Sequence, residues 1–149
     1  MKTLKMFKLK NSLFLLLVLF FQIVQSQSVL GTWKTYDDET GKEKSIVEIY
    51  EENGKIYGKI IELLDKENKG KKCINCSGTD KDKPIQGMVI IRGLSKDGDE
   101  YNGGKILDPK SGKIYKCSLS LESKDKLTVR GYIGISLLGR TQKWIRIKK

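Results

Sequence analysis

The chain has 149 residues, 38% hydrophobic and 32% charged, with a formal net charge of +11; that length suffices for one folded domain and little more. It contains no histidine, so the commonest general base and zinc ligand are missing and no catalytic constellation is expected. Lysines alternate with acids along most of the chain instead of forming a block, the pattern of a solvated surface, with attraction to anionic envelope material as the second reading and no nucleic-acid partner expected.

The first segment reads as an export signal. Lys2, Lys5, Lys8 and Lys10 form a positive start, and Leu13 to Phe21 is an unbroken apolar run, extended by Ile23 and Val24. That run is too short for the roughly 20 residues of a bilayer span. Val24-Gln25-Ser26 puts a small residue just before Gln27, as signal-peptidase cleavage requires. The expected organisation is a signal peptide over residues 1–26 and a single domain over 27–149. Cleavage removes four lysines and no acid, taking the formal charge from +11 to +7, and no cysteine lies near the cut to carry a lipid. The product is expected in the periplasm or outside the cell, without stable membrane insertion.

From Val29 onward, eight strand-like runs alternate with turn signals and no amphipathic helix competes with them. Val29 to Tyr36 ends in the turn-forming Asp37-Asp38-Glu39-Thr40-Gly41. Ser45 to Glu51 is followed by Asn53-Gly54, the strongest short hairpin signal, and Lys55 to Leu64 reads as a long third strand. A charged insertion, Asp65 to Pro84, leads to Gly87 to Leu94, a turn at 96–99, and Tyr101 to Leu107. Asp108-Pro109-Lys110-Ser111-Gly112 is a further hairpin turn. Lys113 to Leu121 has the cleanest period-2 pattern, with Tyr115, Cys117, Leu119 and Leu121 on one face, so Cys117 should face the core. Lys126 to Tyr132, a glycine-bounded link from Gly134 to Gly139, and Thr141 to Ile147 complete the chain. Neighbouring strands joined by short hairpins pair with one another, and eight of them satisfy both sheet edges by closing. The expected fold is therefore all-β: an eight-stranded antiparallel up-and-down barrel, of the size that is either filled by side chains or holds one small ligand.

Three cysteines, Cys73, Cys76 and Cys117, in an oxidising compartment leave one thiol over. The preferred bridge joins Cys73 to Cys76, with a pairing of either to Cys117 as the alternative. Cys73-Ile74-Asn75-Cys76 has redox spacing but not the strand-then-helix setting that depresses a thiol pKa. Three thiols without histidine also fall short of a structural zinc site, so neither metal nor cofactor is expected.

Gly31-Thr32-Trp33 on the first strand and Arg146 on the last resemble the signature of the lipocalin and fatty-acid-binding superfamily. The resemblance implies that Trp33 plugs the barrel floor beneath the Arg146 guanidinium. More specifically, roughly residues 30 to 148 resemble a bacterial family of small secreted proteins, the domain of unknown function 2147 family. The carriers are Gly31-Thr32-Trp33, the 54–60 run, the Cys-x-x-Cys, residues 103–109, and above all 129–144. That resemblance implies a fold and a compartment but no activity.

Arg130 and Tyr132, two apart on a strand, project to one face and could grip a carboxylate together; fatty-acid-binding proteins use such a pair, on their final strand. A salt-bridge network with Glu48 or Glu62, or an exposed pair, are the alternatives. The 133–138 stretch is expected to tuck Leu137 and Leu138 over one barrel end as a cap, or to act as a lid or docking loop ahead of the polar residues Arg140 and Gln142. Asp37, Asp38 and Asp108 are expected to serve their own turns. The candidate ligand residues are thus Arg130, Tyr132, Arg140 and Gln142. The expected function is binding of a small amphipathic or anionic molecule, without catalysis; a side-chain-filled envelope interaction module, its protein partner unknown, is the alternative.

Overall fold

The computed structural model describes residues 27–135 and 137–148; the expected export signal lies outside the described residues. Eight strands, β1 (Gly31–Tyr36), β2 (Glu43–Glu52), β3 (Lys55–Leu63), β4 (Val89–Asp97), β5 (Glu100–Asp108), β6 (Lys113–Ser123), β7 (Lys126–Tyr132) and β8 (Gly139–Arg146), form one closed antiparallel barrel in chain order. Turn chemistry explains that order. Asn53 and Gly54 take φ of 50° and 71°, the left-handed pair that a two-residue hairpin needs, and Gly98, at φ 60°, turns β4 into β5.

Some ends differ from expectation. β4 starts at Val89 and runs on to Asp97, and β8 starts at Gly139 and ends at Arg146. Pairing rather than residue type decides: Asp97↔Glu100 and Tyr132↔Gly139 both belong to the ladders. The seam that closes the barrel is short. β7 and β8 pair from Lys126↔Ile145 to Tyr132↔Gly139, whereas among the described residues β1 meets β8 in register only at Trp33↔Arg146 and Lys34↔Ile145.

Alternation along the strands fills the interior. Trp33, Val47, Ile49, Leu119, Leu127 and Trp144 are each at most 2% exposed, worth ~1.5–3 kcal/mol apiece in burial. Cys117 is buried while its neighbour Lys116 is exposed, as the period-2 pattern of β6 predicts. Closure also demands close backbone approach. A Cβ at Gly104 would lie 2.4 Å from the Arg92 carbonyl oxygen, and one at Gly58 would lie 3.0 Å from the Ile91 side chain.

The long β3–β4 connection contains two single-turn 3-10 helices, Lys66–Asn68 and Gly78–Asp80, and packs on the outer side of β4 and β5. Asp80 accepts both arms of the Arg92 guanidinium at 2.8 and 3.0 Å. Asn75 donates to the Lys110 carbonyl at 2.9 Å. Within this loop Cys73 and Cys76 form a disulfide, and Cys117 is free and buried. Among the described residues no helix is long and apolar enough to cross a membrane.

Candidate functional site

The two barrel ends are built differently. At one, the Arg146 guanidinium lies 4.1 Å from the centroid of the Trp33 ring. It donates to three carbonyls, those of Lys124 (2.6 Å), Leu30 (2.8 Å) and Ser28 (2.7 Å), while the Trp33 indole donates to Val29 at 2.9 Å. One side chain thus joins the segment before β1 to the β6–β7 turn and covers the tryptophan. Gly31 belongs to this arrangement: its φ is 128°, and a Cβ there would lie 2.8 Å from Arg146 Nη1.

The other end is open. A cavity of about 630 Å³ lies among the β1–β2 turn, the β5–β6 turn and the β7–β8 loop. Inward residues are set by register: Val129↔Gln142 and Gly131↔Arg140 face each other across β7 and β8, next above the buried Leu127↔Trp144 pair. Ile106 and Tyr115, paired across β5 and β6, continue the lining beside Gly131. Gly131 leaves room there, because a Cβ would come 3.3 Å from Ile106 Cγ2.

A polar chain runs up one wall of this cavity. The buried Trp144 indole donates to Gln142 Oε1 at 2.9 Å. An indole N–H can only donate, so Gln142 must turn its oxygen down and its amide NH₂ up, where it donates to Asp38 Oδ2 at 2.8 Å. Arg140 Nη1 reaches the same oxygen at 3.3 Å. These contacts bridge the β1–β2 turn and β8, beyond the two β1–β8 register pairs.

Asp37 and Asp108 behave as local turn residues. Asp37 Oδ1 accepts from the Thr40 and Glu39 amides and the Thr40 hydroxyl; the Thr40 amide foremost, then its hydroxyl, holds the Asp37 carboxyl below the usual carboxylate range. Asp108 accepts from the Lys110 amide and the Ser111 hydroxyl. Asp38 departs from expectation: with Asp37 serving the turn, its carboxylate extends across the seam instead. Position in the sequence alone does not separate the two, and Asp38 is the site residue that sequence reasoning missed.

Arg130 and Tyr132 do share a face, but it is the one opposite the inward Leu127 and Val129, because inward Gly131 sits between them. Arg130 Nη1 donates to Thr141 Oγ1 at 2.6 Å, on the outer side. Of the three arrangements considered for this pair, the geometry favours the outward-facing one: Tyr132, Arg140 and Gln142 are among the residues lining the cavity and Arg130 is not. Glu48 and Glu62, considered as buried partners for Arg130, are exposed on β2 and β3. The expected hydrophobic cap is corrected, since Leu137 and Leu138 are 83% and 68% exposed. Cys117 lies in the interior, where burial pushes its thiol pKa up to about 12, so it is a packing residue and a poor nucleophile.

Residues 31–146 match the family DUF2147, described as an uncharacterized protein conserved in bacteria. No curated protein matches. Among solved structures the chain is similar to protein HP1028 from the human pathogen Helicobacter pylori, described as belonging to the lipocalin family. The two share 26% identity and a TM-score of 0.73 over 83% of this chain and 85% of that one.

Proposed function

We propose that this chain, which belongs to the DUF2147 family, is a lipocalin-like barrel that takes a small amphipathic molecule into its open end. The observation that carries this reading is the cavity of about 630 Å³, inside the ~300–1,000 Å³ range of small-molecule sites. Its chemistry is divided. Val129, Ile106 and Tyr115 offer an apolar lining, while Asp38, Gln142 and Arg140 offer donors and acceptors at the mouth. The charges there balance, with Lys44, Lys110, Lys113 and Arg140 against Asp37, Asp38, Glu39 and Asp108. A head group with both donors and acceptors fits that balance better than a bare anion, which must first draw Arg140 from Asp38.

Export to an oxidising compartment belongs to the same proposal. The lysine-led apolar start of the chain and the loop disulfide both support it. The alternative, an interaction module with a filled barrel, is disfavoured by the open cavity.

Tryptophan fluorescence tests the reading, because Trp144 lies at the base of the polar chain. Titration with a neutral monoacylglycerol should saturate at one molecule per barrel, and Gln142→Leu should weaken it. The fatty acid of the same chain length should bind more weakly. Absence of saturable binding by either would overturn the proposal.

A further inference from the structure

We propose that the β7–β8 end of the barrel docks on a lipid surface bearing anionic headgroups, with the aliphatic loop tip entering the surface and the cations of the adjoining outer face meeting the headgroups. The tip presents Ile133, Ile135, Leu137 and Leu138 at 64%, 62%, 83% and 68% exposure. Four large aliphatic side chains so exposed in a six-residue stretch far exceed the scattered apolar surface of an ordinary soluble protein. Hydrogen bonds join the described residues of the turn. The Ile133 amide donates to the Leu138 carbonyl and the Leu138 amide to the Ile135 carbonyl, both at 3.1 Å, and Lys116 Nζ braces the Gly134 carbonyl at 3.2 Å. Beside these contacts Ile133, Ile135, Leu137 and Leu138 all stand exposed.

The second observation is electrostatic. Across the outer face below the tip, Arg92↔Lys105, Lys105↔Lys116 and Lys116↔Tyr132 are successive register pairs. Like charges directly opposite on neighbouring strands repel, yet Lys105 and Lys116 stand so, and among the described residues neither forms an ion pair. Arg130 lies on the same face, and Ile114, 49% exposed, lies between this row and the tip. Aliphatic side chains beside lysines and a tyrosine are the composition of a group that sits at the headgroup boundary of an anionic bilayer. A second copy of the chain fits less well, because a two-fold contact through this patch brings Lys105 and Lys116 against their own kind.

Ile133 and Leu138 also border the cavity, so docking would place the open end against lipid. That consequence rests on the ligand reading; the docking itself does not.

The test is co-sedimentation of the barrel domain, residues 27–149, which contains all eight strands, with two kinds of vesicle: phosphatidylcholine alone, and phosphatidylcholine mixed with phosphatidylglycerol. Binding should require phosphatidylglycerol and weaken with added salt. The double variant Ile135→Ser, Leu137→Ser, at exposed positions where the melt should be unchanged, should lower the partition constant by about tenfold or more. Lys105→Gln, altering only the outer row, should lower it about fivefold. Monoacylglycerol titration of the serine variant in vesicle-free buffer should match wild type, so that failure of docking and failure of the ligand reading are told apart. Equal binding with and without phosphatidylglycerol, wild-type binding by the serine variant, or a dimer that depends on Leu137 would each overturn the proposal.

Discussion

Gln142 on β8 donates to Asp38 in the β1–β2 turn at 2.8 Å, beyond the two β1–β8 register pairs. The contact joins residues from opposite ends of the domain, and it rests on a buried base, since the other end of the Gln142 amide is held by the Trp144 indole. Gln142→Leu should therefore cost ~1–3 kcal/mol, the penalty of a buried indole N–H left without an acceptor. Asp38→Ala should cost less, because its side chain is 30% exposed. Chemical denaturation of the two variants checks the order; a larger loss for Asp38→Ala would mean that the chain is anchored from the mouth rather than from the core.

At the closed end the order should fall on the aromatic. Trp33→Ala removes a fully buried indole and should cost ~3–5 kcal/mol. Arg146→Ala loses ~0.5–2 kcal/mol of cation–π attraction together with its partly exposed carbonyl contacts, and should cost less than Trp33→Ala. An unchanged thermal midpoint for Trp33→Ala would contradict the plug.

For the thiols, alkylation of unfolded, unreduced protein should modify one cysteine, Cys117. Burial raises its folded pKa from 9.0 to about 12, so between those values the folded state retains a proton that the unfolded state has released. Its contribution is fully present below pH ~9 and declines as pH rises toward 12. The stability gap between wild type and Cys117→Ala should narrow above pH 9, as melts at stepped pH would show; a constant gap would contradict the burial.

The β3–β4 loop is strapped by Asp80 and Arg92. The Arg92 hydrogen bonds foremost hold the Asp80 carboxyl below the usual carboxylate range, so the strap is intact above that range and is lost as pH falls through the depressed value. Asp80→Asn should speed proteolysis within 64–88 at neutral pH, when followed by mass spectrometry, and leave the barrel core protected.

How much of this was legible depends on the range of the signal. Local chemistry was: Asn53-Gly54 marked its hairpin, the alternation of Tyr115, Cys117 and Leu119 placed Cys117 inside, and Gly31-Thr32-Trp33 with Arg146 marked the closing strands. Parity across a glycine was not. Gly131 has no side chain to show which way it points, so Arg130 and Tyr132 could not be assigned to a face until the register with Thr141 and Gly139 was in hand. Asp38 was hidden for a related reason. Only with Trp33 set opposite Arg146 does counting five residues along each strand bring Asp38 beside Thr141, within reach of Arg140 and Gln142. The outward packing of the long loop likewise depends on Asp80 meeting Arg92, a contact without periodicity to announce it.

The most direct test of the central reading is to fill the cavity from within. Gly131→Leu places a side chain beside Ile106 and Tyr115, whose nearest atoms lie 3.3 and 3.6 Å from a Cβ at that position, while leaving the residues Asp38, Gln142 and Arg140 themselves unchanged. Monoacylglycerol titration of this variant, beside a melt that establishes folding, should show saturable binding lost while the thermal midpoint holds. Undiminished binding by a folded Gly131→Leu barrel would place the ligand elsewhere and contradict the account.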